Sequence, residues 1–460
     1  MRISNIQIFF VYFILSFFCS LSGADYEKSI STNSNITNIT ASNVSDIKRP
    51  TKWFEWGFDF RFRHEYHNNA STLSSHKPSH EYNYQRYRAR VNFSFIASED
   101  LSLNTRLTWE GREYFKPDSK SGMNWDEIVF DNFNLKIGNQ TNRPLTLILG
   151  RQDISFGDKW LIFDGSTVDG SRSEFFDAAR LIWKLPDNKT TLNMIYFDIA
   201  SDSERWLHPI NSRNNPVCEE DTRGAILYLE NKSFKNTQLD GYFIYKHDHK
   251  VLVNGNSGDR YVEGARAVFK PTEHWKNTIE FAIQSGTKNR NDLLAYGGHG
   301  QIQYLFNDQF QNKIHLGYEY LSGDDPDTQK VEAWDPMWSR RALWSELLVS
   351  TFSYENNGRS AEWSNLQRLE AGWSISPLKK IEFLATYSPI FANENTFKNK
   401  SGYSEDGKFR GHLISSILKF NITKNLTGHL WAEFFFPGDY YSTDRRDLAT
   451  FFRTQLLYQF

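Results

Sequence analysis

From Trp53 onward the chain is dominated by strict alternation of apolar and polar residues. In residues 58–63, phenylalanines alternate with aspartate and arginine, and residues 88–95 alternate in the same way. The same pattern recurs at residues 101–110, 132–137, 279–284, 314–320, 381–387 and 426–434. A period of two predicts strands with one apolar and one polar face. Such strands, of roughly 9–11 residues or slightly more, have the length of barrel-wall strands.

Residues 449–460 follow this pattern to the end of the chain. Phe452, Leu456, Tyr458 and Phe460 share an apolar face, while Arg453 and both glutamines share the polar one. The segment resembles the closing strand of bacterial outer-membrane barrels. That resemblance implies that the barrel assembly machinery recognises the chain through Phe460.

Short and long connections alternate between the predicted strands. The short ones, rich in turn residues, lie at 98–100, 139–144, 186–188, 231–236, 271–273, 307–308, 376–377 and 421–425. The long ones lie at 67–81, 112–126, 155–175, 201–222, 248–259, 287–296, 322–362, 389–408 and 437–447. This order is typical of outer-membrane barrels, which have short periplasmic turns and long extracellular loops.

Residues 343–354 could form another strand, but this would place two long connections in succession. We therefore place them within a long loop, which leaves about eighteen strands, an even number. The predicted fold is all-β: a transmembrane antiparallel up-and-down β-barrel over residues 53–460. A barrel of this size is too wide for its own side chains to fill, so it encloses water and predicts a channel. Because the periplasmic turns are short, a gate has to come from the long loops or from the segment before the barrel.

Composition narrows the class of protein. Aromatic residues make up 16% of the chain and charged residues 23%, and the mean hydropathy is −0.60. A helical membrane protein would be less polar, whereas a barrel needs only every second strand residue to be apolar. The net charge of −2 does not favour a nucleic-acid partner. Cys19 and Cys218 are the two cysteines, and Cys19 lies in the predicted leader, so no internal disulfide is expected.

The amino terminus has the features of an export signal. Arg2 precedes an apolar run, and Ser22-Gly23-Ala24 supplies small residues for cleavage, so residues 1–24 are predicted to be a signal peptide. Residues 25–52 are rich in Ser, Asn and Thr and are predicted to be a flexible tail. With the strands, this signal predicts the outer membrane of a Gram-negative bacterium and contact with its lipid.

The predicted inner face carries many charged side chains. Each arginine facing lipid at mid-depth would cost roughly 2–4 kcal/mol, so these groups are expected to face the lumen. The candidate solute-binding residues are Arg61, Arg63, Arg86, Arg88, Arg90, Arg106, Arg151, Arg180, Arg266, Arg368, Arg410 and Arg453. Inward carboxylates are predicted at Asp59, Glu110, Glu280, Glu319, Glu370, Glu382 and Glu433. Arginine at every second position of residues 86–90 forms a basic ladder suited to an anion; alternatively, the arginines pair with the carboxylates and stiffen the wall.

Two segments make a family resemblance visible. Gly150-Arg151-Gln152 and the Arg172–Leu181 strand start resemble segments of the alginate export family of outer-membrane proteins, as do residues 365–369 and 433–441. The resemblance implies an eighteen-stranded barrel that passes a polyanionic polysaccharide through an arginine-lined bore. Alternation from Leu145 to Leu149 would point Arg151 at lipid, and we expect Gly150 to allow a bulge that turns it inward.

Other chemistry is weakly indicated. His247 and His249 could bind a metal, and residues 324–327 contain three aspartates that could bind calcium, but neither has a complete ligand spacing. No cofactor is predicted, and no nucleophile, base and orienting group occur in a recognisable motif. Three functions remain open: a channel for anionic polysaccharide or smaller anions, a general or nutrient porin, and a barrel enzyme. Of these the sequence favours the channel, without enzymatic activity.

Overall fold

The computed structural model describes residues 47–117, 127–139, 144–163, 175–202, 207–211, 219–339, 342–356 and 363–460. Residues Lys48–Phe460 form one compact unit. The predicted signal peptide, most of the predicted tail and Cys218 lie outside the described residues. The strands are β1 (Phe54–Asn68), β2 (Glu81–Ser98), β3 (Leu101–Lys116), β4 (Ile128–Ile137), β5 (Leu145–Gln152), β6 (Phe176–Lys184), β7 (Thr190–Ile199), β8 (Glu220–Asn231), β9 (Thr237–Lys250), β10 (Gly258–Phe269), β11 (Trp275–Lys288), β12 (Asn291–Leu305), β13 (Lys313–Leu321), β14 (Leu366–Leu378), β15 (Ile381–Phe391), β16 (Phe409–Asn421), β17 (Leu426–Pro437) and β18 (Ala449–Gln459).

The eighteen strands close into an antiparallel barrel, as predicted. Each strand pairs with its neighbours in sequence, and β1 pairs with β18, with Phe60 opposite Tyr458. Closure leaves no sheet edge, which a membrane requires because lipid cannot satisfy backbone N–H and C=O groups. The predicted alternation of faces is also present: Leu316 is 66% exposed on the outside, whereas Arg61 is 1% exposed on the inside.

Residues 343–354, which were predicted to belong to a loop, do not form a strand. They contribute to helix α1 (Glu346–Glu355) in the connection between β13 and β14. The Ser345 hydroxyl caps the helix by accepting a hydrogen bond from the Leu348 backbone N–H at 3.1 Å. No helix in the described part of the chain is long and apolar enough to cross a membrane.

Two predicted connections are wrong in detail. The supposed long loop at 287–296 is a two-residue hairpin turn: Lys288 pairs with Asn291, and Asn289 and Arg290 both adopt positive φ. Two successive left-handed residues match the right-handed twist of the flanking strands, so pairing continues through a polar segment that looked like loop. The supposed turn at 376–377 lies within β14, which continues through a register shift to Leu378.

The long connections fill part of the barrel interior. A buried apolar cluster joins wall residues such as Phe197 and Ile226 to loop residues such as Trp160, Trp334 and Trp338. Gly297 on β12 permits this packing, because a Cβ there would lie 3.0 Å from the Trp334 ring. The core of the molecule therefore lies between the wall and the inserted loops.

Candidate functional site: the basic ladder and the lumen loop

Arginines face one another across β1 and β2 on the inside of the barrel. Arg61 lies directly opposite Arg88, and Arg63 directly opposite Arg86. Arg86 in turn lies opposite Arg112 on β3. Like charges directly opposite each other destabilise a sheet, so this arrangement is costly for the wall alone.

Carboxylates and a neighbouring strand hold these arginines in place. Glu110 lies 2.9 Å from Arg86 and 3.9 Å from Arg61, and Asp59 lies 2.8 Å from Arg90 and 3.4 Å from Arg88. On the other side, Glu65 pairs with Arg453 of β18 at 2.6 Å and lies 3.8 Å from Arg63. We call this group the basic ladder: Arg61, Arg63, Arg86, Arg88, Arg90 and Arg453.

The ladder is compact and hardly accessible to water in this structure. Arg61 and Arg88 are each 1% exposed. A solute can therefore contact these guanidinium groups only if neighbouring side chains or an inserted loop move. The ion pairs also agree with the alternative role, in which arginine–carboxylate pairs stiffen the wall.

The remaining predicted arginines are spread around the barrel rather than gathered into one site. Arg106 pairs with Asp131 and Asp153, both at 2.7 Å, and Arg266 pairs with Asp158 at 2.6 Å. Arg368 lies 3.2 Å from Glu319, and Arg410 lies 2.8 Å from Glu355. Arg180 donates to the Asn193 side chain at 2.8 Å and forms no ion pair with a described residue.

Arg151 does not turn inward, so this prediction is wrong. By register it lies opposite Asp177 on β6 and Phe133 on β4, in line with the outward-facing Leu145 and Leu149, but unlike them its side chain is enclosed, with 1% exposure. Gly150 has φ +115°, but no register shift accompanies it. The charge is accommodated by a bidentate pair with Asp177, at 2.8 and 3.0 Å, and by the Phe175 ring at 3.5 Å.

Arg151→Ala is therefore expected to destabilise the barrel by about 3–5 kcal/mol, because Asp177 would keep an unpaired charge in a largely enclosed position. The double variant Arg151→Ala/Asp177→Ala removes both charges and should lose less stability than the single variant. Urea unfolding in liposomes measures both effects. Equal loss in the two variants would show that the pair itself is not what stabilises this position.

The described parts of the connection between β13 and β14, residues 322–339, 342–356 and 363–365, cross the barrel interior, and we call them the lumen loop. On one side, Asp335 pairs with Arg260 of β10 at 2.8 Å, and its backbone exchanges two hydrogen bonds with Gln284 of β11. Trp338 lies edge-on against Phe197 of β7, with ring centroids 5.0 Å apart. Trp160 of the β5–β6 connection stacks on Trp334 of the lumen loop, with ring centroids 4.7 Å apart.

The lumen loop then contacts the opposite wall. Glu433 of β17 accepts hydrogen bonds from the Ser345 hydroxyl and the Leu347 N–H at 2.9 and 2.8 Å, and Glu346 pairs with Arg453 at 3.1 Å. At the end of α1, Glu355 pairs with Arg410 of β16. Strands β7 and β16 are nine positions apart in a ring of eighteen, so the loop spans the diameter.

The electrostatics of Asp335 favour this crossing. Burial raises the pKa of its carboxyl, but the positive charges of Arg260, Lys288 and Lys246 outweigh burial and hold the pKa well below its usual value. Asp335 therefore stays ionised. Arg260 is fully buried and also contacts Asp248, so the wall and the lumen loop share one buried charge network.

No metal centre is assigned. In the described part of the chain, Asp158, Glu280 and His299 have ligand atoms within 4.8 Å of one another. Arg266 already donates to Asp158 at 2.6 Å and lies 3.7 Å from Glu280. Its guanidinium group therefore supplies the positive charge that a metal ion would otherwise bring to these carboxylates. In the predicted calcium segment, Asp324 and Asp325 accept hydrogen bonds from backbone N–H groups, and His247 bonds Asp259 at 2.9 Å.

A closed eighteen-stranded barrel with an apolar outside and a charged interior defines an outer-membrane channel protein. The sequence matches the family model described as "Alginate export" over residues 52–452, and the chain belongs to that family. No curated protein matches the sequence.

Solved structures of bacterial porins share the fold. Acinetobacter baumannii OccAB2 superposes with a TM-score of 0.57 at 10% identity, over 88% of this chain and 98% of that one. A BenF-like porin from Pseudomonas fluorescens Pf-5 gives 0.57 at 9% identity, over 88% and 98%. Pseudomonas aeruginosa OccK2 (OpdF), solved in complex with glucuronate, gives 0.55 at 11% identity, over 88% and 97%. The protein is therefore placed in the outer membrane, where its wall contacts lipid.

Proposed function

We propose that this protein passes anionic solutes across the outer membrane along the basic ladder. In this proposal the solutes are acidic sugars, in the form of an alginate-like polysaccharide or of its shorter fragments. The observation that carries this proposal is the direct opposition of Arg61 to Arg88 and of Arg63 to Arg86. A wall built only for stability has no need of facing arginines, whereas an anion that passes between them is attracted by both.

The density of guanidinium groups in the ladder supports an anionic solute. Among the described residues, the carboxylates that pair with ladder arginines include Asp59, Glu65, Glu110 and, from the lumen loop, Glu346. Guanidinium groups bind carboxylates in a bidentate manner. The carboxylate of a sugar acid can therefore replace a protein carboxylate as the partner of a ladder arginine.

Two comparisons favour acidic sugars among anions. The description of the family model is "Alginate export". The structural neighbour OccK2 was solved in complex with glucuronate, which is itself a sugar acid. In this proposal the protein transports its solute without catalysing a reaction. Phe460, whose N–H donates to the Phe58 carbonyl at 2.8 Å beside the closing strand pair, would serve as the recognition residue for barrel assembly.

The second candidate function is a general or nutrient porin without anion preference. The ion pairs within the ladder favour it, because every ladder arginine lies within 4 Å of a carboxylate. If those pairs never open, the ladder arginines act only weakly on a passing ion.

Reversal potentials in planar bilayers separate the two functions. In a potassium chloride gradient, the anion channel is expected to show a clear preference for chloride, and added glucuronate is expected to reduce the chloride current more than glucose does. A potential without preference, or one that favours potassium, would refute the anion channel and support the general porin.

A further inference from the structure

A cavity of about 750 Å³ opens at the long-loop end of the barrel next to the basic ladder. Its wall side is formed by Tyr84 of β2 and by Arg112 and Tyr114 of β3, and Arg112 lies opposite the ladder residue Arg86. Its inner side is formed by α1, which contributes Tyr354. We call this cavity the vestibule. Its volume is within the roughly 300–1,000 Å³ of pockets that enclose small ligands.

The cations of the vestibule lie on aromatic rings. The Arg112 guanidinium is 5.0 Å from the centre of the Tyr84 ring, and Lys400 is 4.3 Å from that of Phe397. Arg445 lies 4.8 Å from the ring of Tyr403. A cation on an aromatic face is held in place but keeps its charge for a further anionic partner.

The carboxylate content of the vestibule leaves this charge largely unbalanced. Among the described lining residues the acidic side chain is Glu355, which is already bound by Arg410 and by the Tyr441 hydroxyl at 2.8 and 2.9 Å. The vestibule thus differs from the ladder, where each arginine contacts a carboxylate. It has a clear positive excess.

Two hydrogen-bond donors of these cations are buried without an acceptor among the described residues: Nε of Arg112 and Nη2 of Arg445. Arg445 is only 4% exposed, and its Nε is used by the Thr72 carbonyl at 2.9 Å. A buried donor without an acceptor is energetically unfavourable, so a small movement that brings a ligand oxygen within hydrogen-bond distance of it would stabilise the bound state.

Hydroxyl groups complete the lining. Ser350 and Ser353 of α1, Ser71 and Ser401 all border the cavity. Serine and tyrosine hydroxyls both donate and accept hydrogen bonds, which matches the hydroxyls of a sugar, while tyrosine rings offer flat faces to its C–H side. Burial raises the pKa of Tyr403, so its hydroxyl stays protonated as a donor.

We propose that the vestibule is a separate binding site for an acidic mono- or disaccharide at the long-loop mouth, next to the ladder. This inference rests on the proposed passage of acidic sugars. In the site, Arg112, Lys400 and Arg445 bind the carboxylates, the tyrosines stack on the sugar rings, and the serines bind hydroxyls. The ladder conducts, whereas the vestibule selects the sugar.

Isothermal titration calorimetry of the detergent-solubilised full chain tests this site without requiring current. The probe is a disaccharide of two uronic acids, and the comparison ligand is a neutral disaccharide of the same linkage. The wild type is expected to bind the acidic disaccharide, and Arg112→Gln/Lys400→Gln to bind it about tenfold or more weakly because two charged contacts are lost. Lys398→Gln is the control for loss of one positive charge from the same loop as Lys400, since Lys398 is 39% exposed and outside the vestibule lining.

Several outcomes would overturn the proposal: no binding by the wild type, equal binding of the neutral disaccharide, or unchanged affinity in the double variant. If that variant does not fold, Tyr354→Ala removes a ring that is 46% exposed and should also weaken binding. The reversal potential distinguishes the two proposals. Loss of disaccharide binding with anion preference intact supports the vestibule as a separate site, whereas absence of anion preference in the wild type refutes the proposed function itself.

Discussion

Arg61→Gln/Arg88→Gln is expected to remove most of the channel's preference for anions. The two side chains lie directly opposite each other in the ladder, and both are almost fully buried. Their removal takes two of the six positive charges out of the ladder, so an anion in the ladder is attracted less strongly. In a narrow, poorly hydrated passage the local charge balance decides which ion enters.

This double variant should still fold. Glu110 keeps Arg86 at 2.9 Å, and Asp59 keeps Arg90 at 2.8 Å, so neither carboxylate loses its shortest ion pair. Relief of the arginine–arginine opposition offsets part of the lost attraction. The expected change is therefore one of ion selectivity rather than of barrel stability.

The measurement is the reversal potential in a potassium chloride gradient. Lys379→Gln/Lys380→Gln is the matched control, because it also removes two positive charges but from the exposed turn between β14 and β15. The control should leave the potential near that of the wild type. A ladder variant that behaves like this control would mean that solutes do not pass along the ladder.

The barrel wall could be predicted because its physics is local. A strand between lipid and a polar interior needs an apolar residue at every second position, and this requirement is visible in residues 58–63 without knowledge of any partner. The even strand number placed residues 343–354 in a loop, where the structure has α1. The error at Asn289 and Arg290 arose because a left-handed two-residue turn carries the same polar residues as a long loop.

The direction of Arg151 could not be predicted from its own strand. Alternation placed it outward, and the cost of a charge facing lipid argued for an inward turn. The deciding residue is Asp177, which supplies the opposite charge on the same face from the next strand. A paired charge costs much less than an isolated one, so no bulge was needed.

The lumen loop was the largest feature that sequence reasoning missed. Its contacts join residues far apart in the chain, such as Asp335 with Arg260 and Glu346 with Arg453, and no periodic pattern specifies them. One signal was present: residues 334–363 contain four tryptophans, at Trp334, Trp338, Trp344 and Trp363. An extracellular loop in water has little use for so much aromatic surface, and three of these four are buried.

Detachment of the lumen loop from the wall is expected to increase single-channel conductance several-fold. Asp335→Ala removes the carboxylate that joins the loop to Arg260, and Trp338→Ala removes the ring that packs on Phe197. Loss of Asp335 costs less than the roughly 3–5 kcal/mol of a fully broken buried ion pair, because Arg260 keeps Asp248 as a partner, and truncating a buried tryptophan costs about 3–5 kcal/mol. Both substitutions weaken the attachment of the loop and leave the wall intact, because the hydrogen bonds of the wall are made between strands.

Asp327→Ala is the control for this effect. Asp327 belongs to the same loop, but its side chain is 82% exposed and it contacts Lys398 of another loop at 3.8 Å rather than the wall. Planar-bilayer recordings should therefore show wild-type conductance for Asp327→Ala and a larger one for Asp335→Ala/Trp338→Ala. Heat-modifiable migration in gels checks that both barrels are folded. If the folded double variant conducts no more than the control, the contacts of Asp335 and Trp338 with the wall do not restrict the passage.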